Sequence, residues 1–326
     1  LNLRAQKKQP LTLWIIAIIL MSFYGMCVHR NDIEIDTTPL VYLLEASNTT
    51  LVERSCNLTG IGPSERPYVH FPIPKTFDRG ECGCNPVKYF VILSMPRSGT
   101  GWINSMLHSH TNISINSETF FGDDRRKNIV KILEVLKEVF SMDLTNSKNK
   151  VECTGAVGFV WMLHQGVIAY HREIVGYFKM YGVLSIFLFR RNVLRRHVSM
   201  VAASTEQIGN STDQYHVESK DQAEILAKYR ARINTKALID VLKRDEELMA
   251  KCIEYFGKMP HITLYYEDLL ENHEQLLDEV QDFLSMPLQK LSSKQVKIHN
   301  GPLLSYVRNW RRVVRTLEGT KYEKYL

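Results

Sequence analysis

The sequence predicts an α/β protein built on a parallel sheet with helices on both faces, preceded by one membrane-spanning helix and a stem. Three observations carry this reading. Beyond residue 87 short apolar runs alternate with amphipathic segments, one run ends in a glycine-bearing loop that opens a helix, and residues 11–28 hold no charge. Strands covered on both faces read as near-continuous apolar runs, and their alternation with helices implies parallel pairing. The 326 residues suffice for one α/β domain of about 200–250 residues with accessories. A hydrophobic fraction of 44% and a charged fraction of 23% exclude disordered, collagen-like and low-complexity classes. The formal net charge of +6 favours anionic ligands; so mild a surplus predicts no nucleic-acid partner.

The segment Leu11–Val28 (LTLWIIAIILMSFYGMCV) would extend about 27 Å as a helix, close to the hydrocarbon thickness of a bilayer. Arg4, Lys7 and Lys8 precede it, whereas Asp32, Glu34 and Asp36 follow soon after Arg30. This asymmetry predicts a single-pass type II anchor: a cytosolic tail at 1–10, the anchor at 11–28 and all later residues outside the cytosol. A cleaved signal peptide is the rival, but Met26-Cys27-Val28-His29 offers no small-residue cleavage pattern. Four N-x-S/T sequons, at Asn48, Asn57, Asn112 and Asn210, suit a lumenal chain. Cys56, Cys82, Cys84, Cys153 and Cys252 make an odd set outside the anchor, so disulfides are expected with at least one thiol free or paired between chains. No second paired-ligand motif completes a zinc site around Cys82 and Cys84, and no metal is expected. Residues 29–86, rich in proline, read as a lumenal stem.

Within 87–326 the strand-like runs are Lys88–Ser94, Ala156–Trp161, Val183–Arg190 and His261–Tyr266, each followed by a helical pattern. A longer helix is expected over Asp221–Phe256. The first unit is the most informative. FVILS is followed by Met95-Pro96-Arg97-Ser98-Gly99-Thr100-Gly101 and then Trp102 and a helix with apolar residues at Ile103, Met106 and Leu107. A strand, a tight loop and a helix N-terminus form a P-loop-like anion cradle, in which glycines admit oxygen atoms to the backbone and Arg97 adds a forked cation. The loop lacks the lysine of the nucleotide-triphosphate motif. Helix Thr100–His110 leads away from the cradle and Asn112–Glu118, if extended, leads back, so Glu118 ends a strand at the ligand edge. A carboxylate beside a bound anion suits a general base serving an acceptor. Arg190 and Arg191 close a later buried strand at the same edge, and Ser199 lies eight positions after Arg191, a pair suited to a second phosphate. Arg195 and Arg196 read as a solvated face, as does the set Arg308, Arg311, Arg312 and Arg315; His108 and His110 lie at the far end of the first helix and read as packing or surface residues.

These segments resemble the sulfotransferases that use 3′-phosphoadenosine 5′-phosphosulfate (PAPS), most closely the membrane-anchored plant Golgi members similar to the rhizobial Nod-factor sulfotransferase. The resemblance covers residues 87–326, including YYEDL at Tyr265–Leu269 and the closing segment Lys297–Trp310. It implies that Pro96, Arg97, Ser98, Gly99, Thr100, Gly101 and Trp102 surround the 5′-phosphosulfate, that Arg191 and Ser199 hold the 3′-phosphate, and that Glu118 and Arg97 are catalytic. It further implies PAPS as co-substrate, a hydroxyl acceptor on a glycan, and a Golgi membrane location; the oligomeric state stays open, a dimer included. Two positions depart from the pattern: Val160 stands in Gly158-Phe159-Val160-Trp161 where relatives carry Lys, and Arg191-Asn192-Val193-Leu194-Arg195 replaces Arg-Asn-Pro-x-Asp. Val160 raises an alternative, a lumenal PAPS-binding protein without turnover. A P-loop nucleotide kinase, with Glu267 and Asp268 as metal-holding acids, is the other alternative and requires Mg²⁺ dependence.

Overall fold

The computed structural model describes residues 56, 59–144, 152–206, 230–295 and 301–326, with 204–206 as backbone only. The expected tail, the anchor at 11–28, the stem up to residue 55 and the sequons at Asn48, Asn57 and Asn210 lie outside the described residues. Among the described residues no helix is long and apolar enough to cross a membrane.

Five parallel strands form one sheet: β1 (Lys88–Ser94), β2 (Ile113–Glu118), β3 (Ala156–Met162), β4 (Leu184–Phe189) and β5 (His261–Tyr265), in the order β2-β3-β1-β4-β5. β1 is central because every residue after Lys88 in KYFVILS is buried, a run that suits contact on both faces. Alternate side chains divide the core. Phe90, Ile92, Val160, Ile186 and Leu188 join Ile103, Met106 and Leu107 of α1 (Thr100–His108) and Leu269, Leu277 and Val280 of a late helix, Tyr266–Phe283. On the other face Phe159 and Trp161 meet Phe140 of α2 (Ile129–Phe140) and Phe178 of α3 (His171–Met180), and Phe178 meets Phe256 of a 19-residue helix, Leu238–Phe256. Helices thus cover both faces, as expected. In chain order the remaining helices are α4 (Val193–Glu206), α5 (Leu238–Phe256), α6 (Tyr266–Phe283) and α7 (Trp310–Leu317).

Connections from β1 run towards β2 and β3, whereas those from β4 run towards β5, so the sheet reverses direction between β1 and β4. The crevice at the carboxyl ends of these two strands is where an open parallel sheet receives a ligand. It lies between Met95–Gly99 and Arg190–Asn192.

The helix expected over Asp221–Phe256 begins at Leu238 in the described part, because Asn309 takes both the Ile233 N–H (2.9 Å) and, through its own amide, the Ile233 carbonyl (2.8 Å). That clamp holds 230–233 beside 306–309, where Ala231 bridges Val307. α2 was not anticipated, although Asn128 caps it by accepting from the Lys131 N–H at 2.9 Å. Residues 59–86, read as stem, lie on the domain. His70 stacks on Tyr89 at 3.9 Å and donates from Nε2 to the Tyr181 carbonyl, and the buried Arg79 donates to the carbonyls of Glu152, Asn85 and Thr154. Gly182, at φ 53°, admits this segment, since a Cβ there would meet the Pro67 carbonyl oxygen at 2.0 Å.

Disulfides Cys56–Cys84 and Cys82–Cys153 tie the same segment down, while Cys252 is free and buried in α5. The odd thiol is therefore a core residue rather than a link between chains. Cys82–Cys153 closes 71 residues, and loop-closure entropy gives such a bridge roughly 4 kcal/mol. Cys82→Ser with Cys153→Ser is accordingly expected to lower the midpoint of thermal unfolding by on the order of 10 °C; an unchanged midpoint would show that the packing of 59–86 suffices alone.

Candidate active site

The anion loop is set by backbone conformations that the sequence only hints at. Gly99 caps α1 at φ 91°, and a Cβ added there would lie 2.5 Å from the Tyr266 ring, so the residue has to be glycine on both counts. Arg97 adopts φ 68° as well, a conformation that costs on the order of 1 kcal/mol and must be over-determined by its surroundings. Two buried arginines over-determine it. Arg190 Nη1 donates to the Arg97 carbonyl at 3.1 Å, and Arg196 Nη1 donates to the Pro96 carbonyl at 3.1 Å. With consecutive carbonyls drawn towards α4, the amides that follow at the start of α1 are left to face an anion, and no side chain caps that helix end.

Ser199 is brought to this loop across the crevice: Arg97 Nε donates to Ser199 Oγ at 2.9 Å. Ser98 is fully buried and its Oγ has no hydrogen-bond partner, an orphan that a bound oxyanion would satisfy. Thr100 and Gly101 open α1, while Trp102 packs against the core cluster and tilts against His273 at 5.8 Å.

Arg191 is placed differently. Its guanidinium sits 3.9 Å over the Tyr265 ring and is paired through both terminal nitrogens with Asp268. To grip a phosphate it must exchange this carboxylate. The pair is exposed, 49% and 41% for the two side chains, and exposed pairs contribute only ~0–1 kcal/mol, so exchange costs little. Glu267 accepts from the N–H groups of Arg191 (2.9 Å) and Asn192 (3.2 Å), holding the start of α4. Neither acid of the kinase alternative is thus turned to the loop; one caps a helix and the other pairs with Arg191.

Glu118 ends β2 as expected. A register shift between Asn116 and Glu118 re-aims it, and it pairs with Val160 of β3. Its Oε2 accepts from Gln165 Nε2 at 3.3 Å; Gln165 is itself held in a π-helical turn, Leu163–Val167, by accepting from the Met162 N–H and by the Trp161 indole donating to its carbonyl. Burial raises the Glu118 carboxyl above its ordinary value, and the Gln165 amide partly opposes that rise. Desolvation, with the positive charges of Arg126 and Arg196, lowers the pKa of His164 on the same turn. Gln165 and His164 escaped the sequence reading, for the π-helical turn that positions them has no sequence signature beyond Gly166 at φ 91°.

Arg196 was read as part of a solvated face; the structure buries it to 5% exposure against Asp245 of α5. Its neighbour Arg195 donates to the Gly301 carbonyl at 2.9 Å. Burial lowers Arg190 to about 10, against the raising effects of Tyr266 and Glu267, so it remains a cation at neutral pH. Arg195 and Arg97 also lower the Arg190 pKa, so positive charge gathers at this edge of the crevice, a field of the kind that favours anions. His110 packs as expected, its Nε2 donating to the Pro287 carbonyl and its Nδ1 accepting from the Asn112 N–H. The Asn112 amide donates to the Cys153 carbonyl at 2.8 Å.

No protein-family profile and no curated protein matches the chain. Solved structures that superpose on it include a sulfotransferase from Alicyclobacillus acidocaldarius (12% identity, TM-score 0.38, covering 72% of this chain and 97% of that one). The sulfotransferase domain of the Synechococcus PCC 7002 olefin synthase (11%, 0.34, 77% and 92%) and a sulfotransferase from Mycobacterium avium (10%, 0.35, 78% and 77%) superpose similarly. Scores this low assign neither site nor activity, which rest on the chain's own residues.

Proposed function

We propose that the protein is a PAPS-dependent sulfotransferase acting on a hydroxyl of a carbohydrate in the Golgi lumen, anchored by residues 11–28. The single observation that supports it best is the meeting of Arg97 and Ser199, residues 102 positions apart, at a loop whose glycine, helix end and orphan Ser98 hydroxyl suit an oxyanion. PAPS, when bound, supplies the sulfuryl group and a phosphate leaving group. Arg97, fixed in orientation by Ser199, and the amides of 98–101 are the donors for negative charge on the 5′ side; loss of one such donor typically costs ~3 kcal/mol of barrier. Arg191 and Ser199 border the 3′ side once Arg191 releases Asp268. Glu118, backed by Gln165, takes the proton of the acceptor hydroxyl. The two disulfides support an oxidising compartment.

Val160 favours one second reading, a PAPS-binding protein without turnover. Its side chain is 2% exposed within the apolar cluster beneath the loop, so no cation occupies the position where the resembled family carries Lys. Titration with 3′,5′-adenosine bisphosphate followed by sulfate transfer from labelled PAPS to a glycan panel separates the two readings: binding with transfer supports the enzyme, binding without transfer the carrier, and no binding defeats both.

The raised Glu118 carboxyl sets the pH dependence. A base works ionised, so kcat/KM is expected to rise with pH through a limb above the ordinary glutamate range and then level off. Gln165→Leu removes the amide that favours the charged form and should move this limb to still higher pH; a limb that stays in place would show that the rate does not depend on Glu118.

A further inference from the structure

We propose that the face formed by α7 and the strand-like segment beside it is a docking surface for an acidic polysaccharide, binding a linear acceptor chain away from the reacting hydroxyl. This rests on the sulfotransferase reading only for the word acceptor; binding itself is independent of it.

Arg311, Arg312 and Arg315 share one side of α7, opposite Val313 and Leu317, which are buried, and Arg308 lies in the turn just before the helix. All four arginines are exposed. The Asn309 clamp and the Ala231–Val307 bridge lay a second segment alongside, with the Arg308 N–H donating to the Ala231 carbonyl at 2.8 Å. Ala231 is buried, and Arg230 and Arg232 on either side of it are exposed. Residues 230–236 and 301–317 together contain seven Arg and Lys and no Asp or Glu, while the whole chain carries a net charge of only +6. The entire cationic surplus of the chain therefore sits in two segments that the fold brings together. Among the described residues Arg311, Arg312 and Arg315 make no ion pair.

Chemistry selects the occupant. From Arg311 to Arg315 the helix rises about 6 Å and Arg308 extends the row at its start, a row of forked donors that fits a linear chain bearing a carboxylate or sulfate on successive units better than one compact phosphate. A bilayer surface would ask for large apolar side chains among the cations. Of the exposed large hydrophobics, Leu304 lies in this region, before α7, and none lies on the arginine face of α7. Arg195 bonds the Gly301 carbonyl, which joins this region to α4 and so to the edge of the crevice, and gives a bound chain a route to the site.

The test is calorimetric titration of the full chain with oligogalacturonate, a neutral cello-oligosaccharide and vesicles containing anionic phospholipid, each at two salt concentrations. Binding of oligogalacturonate that weakens with salt, with no binding of the neutral oligomer, is expected. Arg311→Gln, Arg312→Gln and Arg315→Gln combined should lower that affinity about tenfold or more, and should leave both thermal unfolding and the affinity for 3′,5′-adenosine bisphosphate unchanged. Oligogalacturonate binding that is absent, insensitive to these substitutions, or weaker than binding to the vesicles would overturn the proposal. The sulfotransferase reading fails separately, by lost nucleotide binding or absent transfer to every acceptor.

Discussion

Glu118→Gln is expected to lower kcat by roughly 10²–10⁴ while leaving the affinity for 3′,5′-adenosine bisphosphate within about twofold of the native value. The glutamine is nearly isosteric and can still meet the Gln165 amide through its own oxygen, so the strand end and its bulge keep their shape. What it cannot do is accept a proton at neutral pH. A kcat that survives the change would remove Glu118 as the base and turn attention to His164, whose neutral form is favoured beside Arg126 and Arg196. Equal loss of nucleotide binding would mean instead that residue 118 shapes the cradle.

Asp245→Ala is expected to be among the most damaging single changes in the domain. It leaves Arg196, 5% exposed, without its carboxylate, and an uncompensated buried charge of this kind costs ~3–5 kcal/mol. The unfolding midpoint should drop by on the order of 10 °C. Packing alone does not exhaust the role of this pair, because Arg196 also holds the Pro96 carbonyl behind the anion loop. The double change Arg196→Met with Asp245→Leu separates the two functions: an apolar replacement should recover much of the stability, yet nucleotide affinity should stay about 10–100-fold low without the charged donor that orients the loop. Recovery of both would show that the loop holds its conformation without Arg196.

The parallel sheet was legible because β1, β3 and β4 are short, predominantly apolar runs, and the loop because serine and glycine follow within five residues of the end of buried β1. Glu118 was legible by chain geometry alone: one helix out, one strand back. Arg196 and Asp245 were not. They lie 49 positions apart, and a run of arginines on an amphipathic helix looks solvated until another helix supplies a buried carboxylate. The start of α5 was misplaced for a similar reason, since the Asn309 side chain overrides the local helical pattern at 230–233 from a distant segment. Ser199 lies at the crevice and accepts from Arg97 of the loop, whereas Arg191 was expected to face a phosphate and instead pairs with Asp268, a local choice that the motif spacing does not encode.

That pairing makes Arg191 the point at which the whole account is most exposed. Comparing the affinities of the native protein and Arg191→Ala for 3′,5′-adenosine bisphosphate and for 5′-AMP, without added metal, measures what the second phosphate contributes. The native protein is expected to prefer the bisphosphate and Arg191→Ala to lose about 10–100-fold of that preference, as befits one charge-assisted grip, with 5′-AMP affinity unchanged. A native protein indifferent to the 3′-phosphate, or a variant that keeps the full preference, would contradict it.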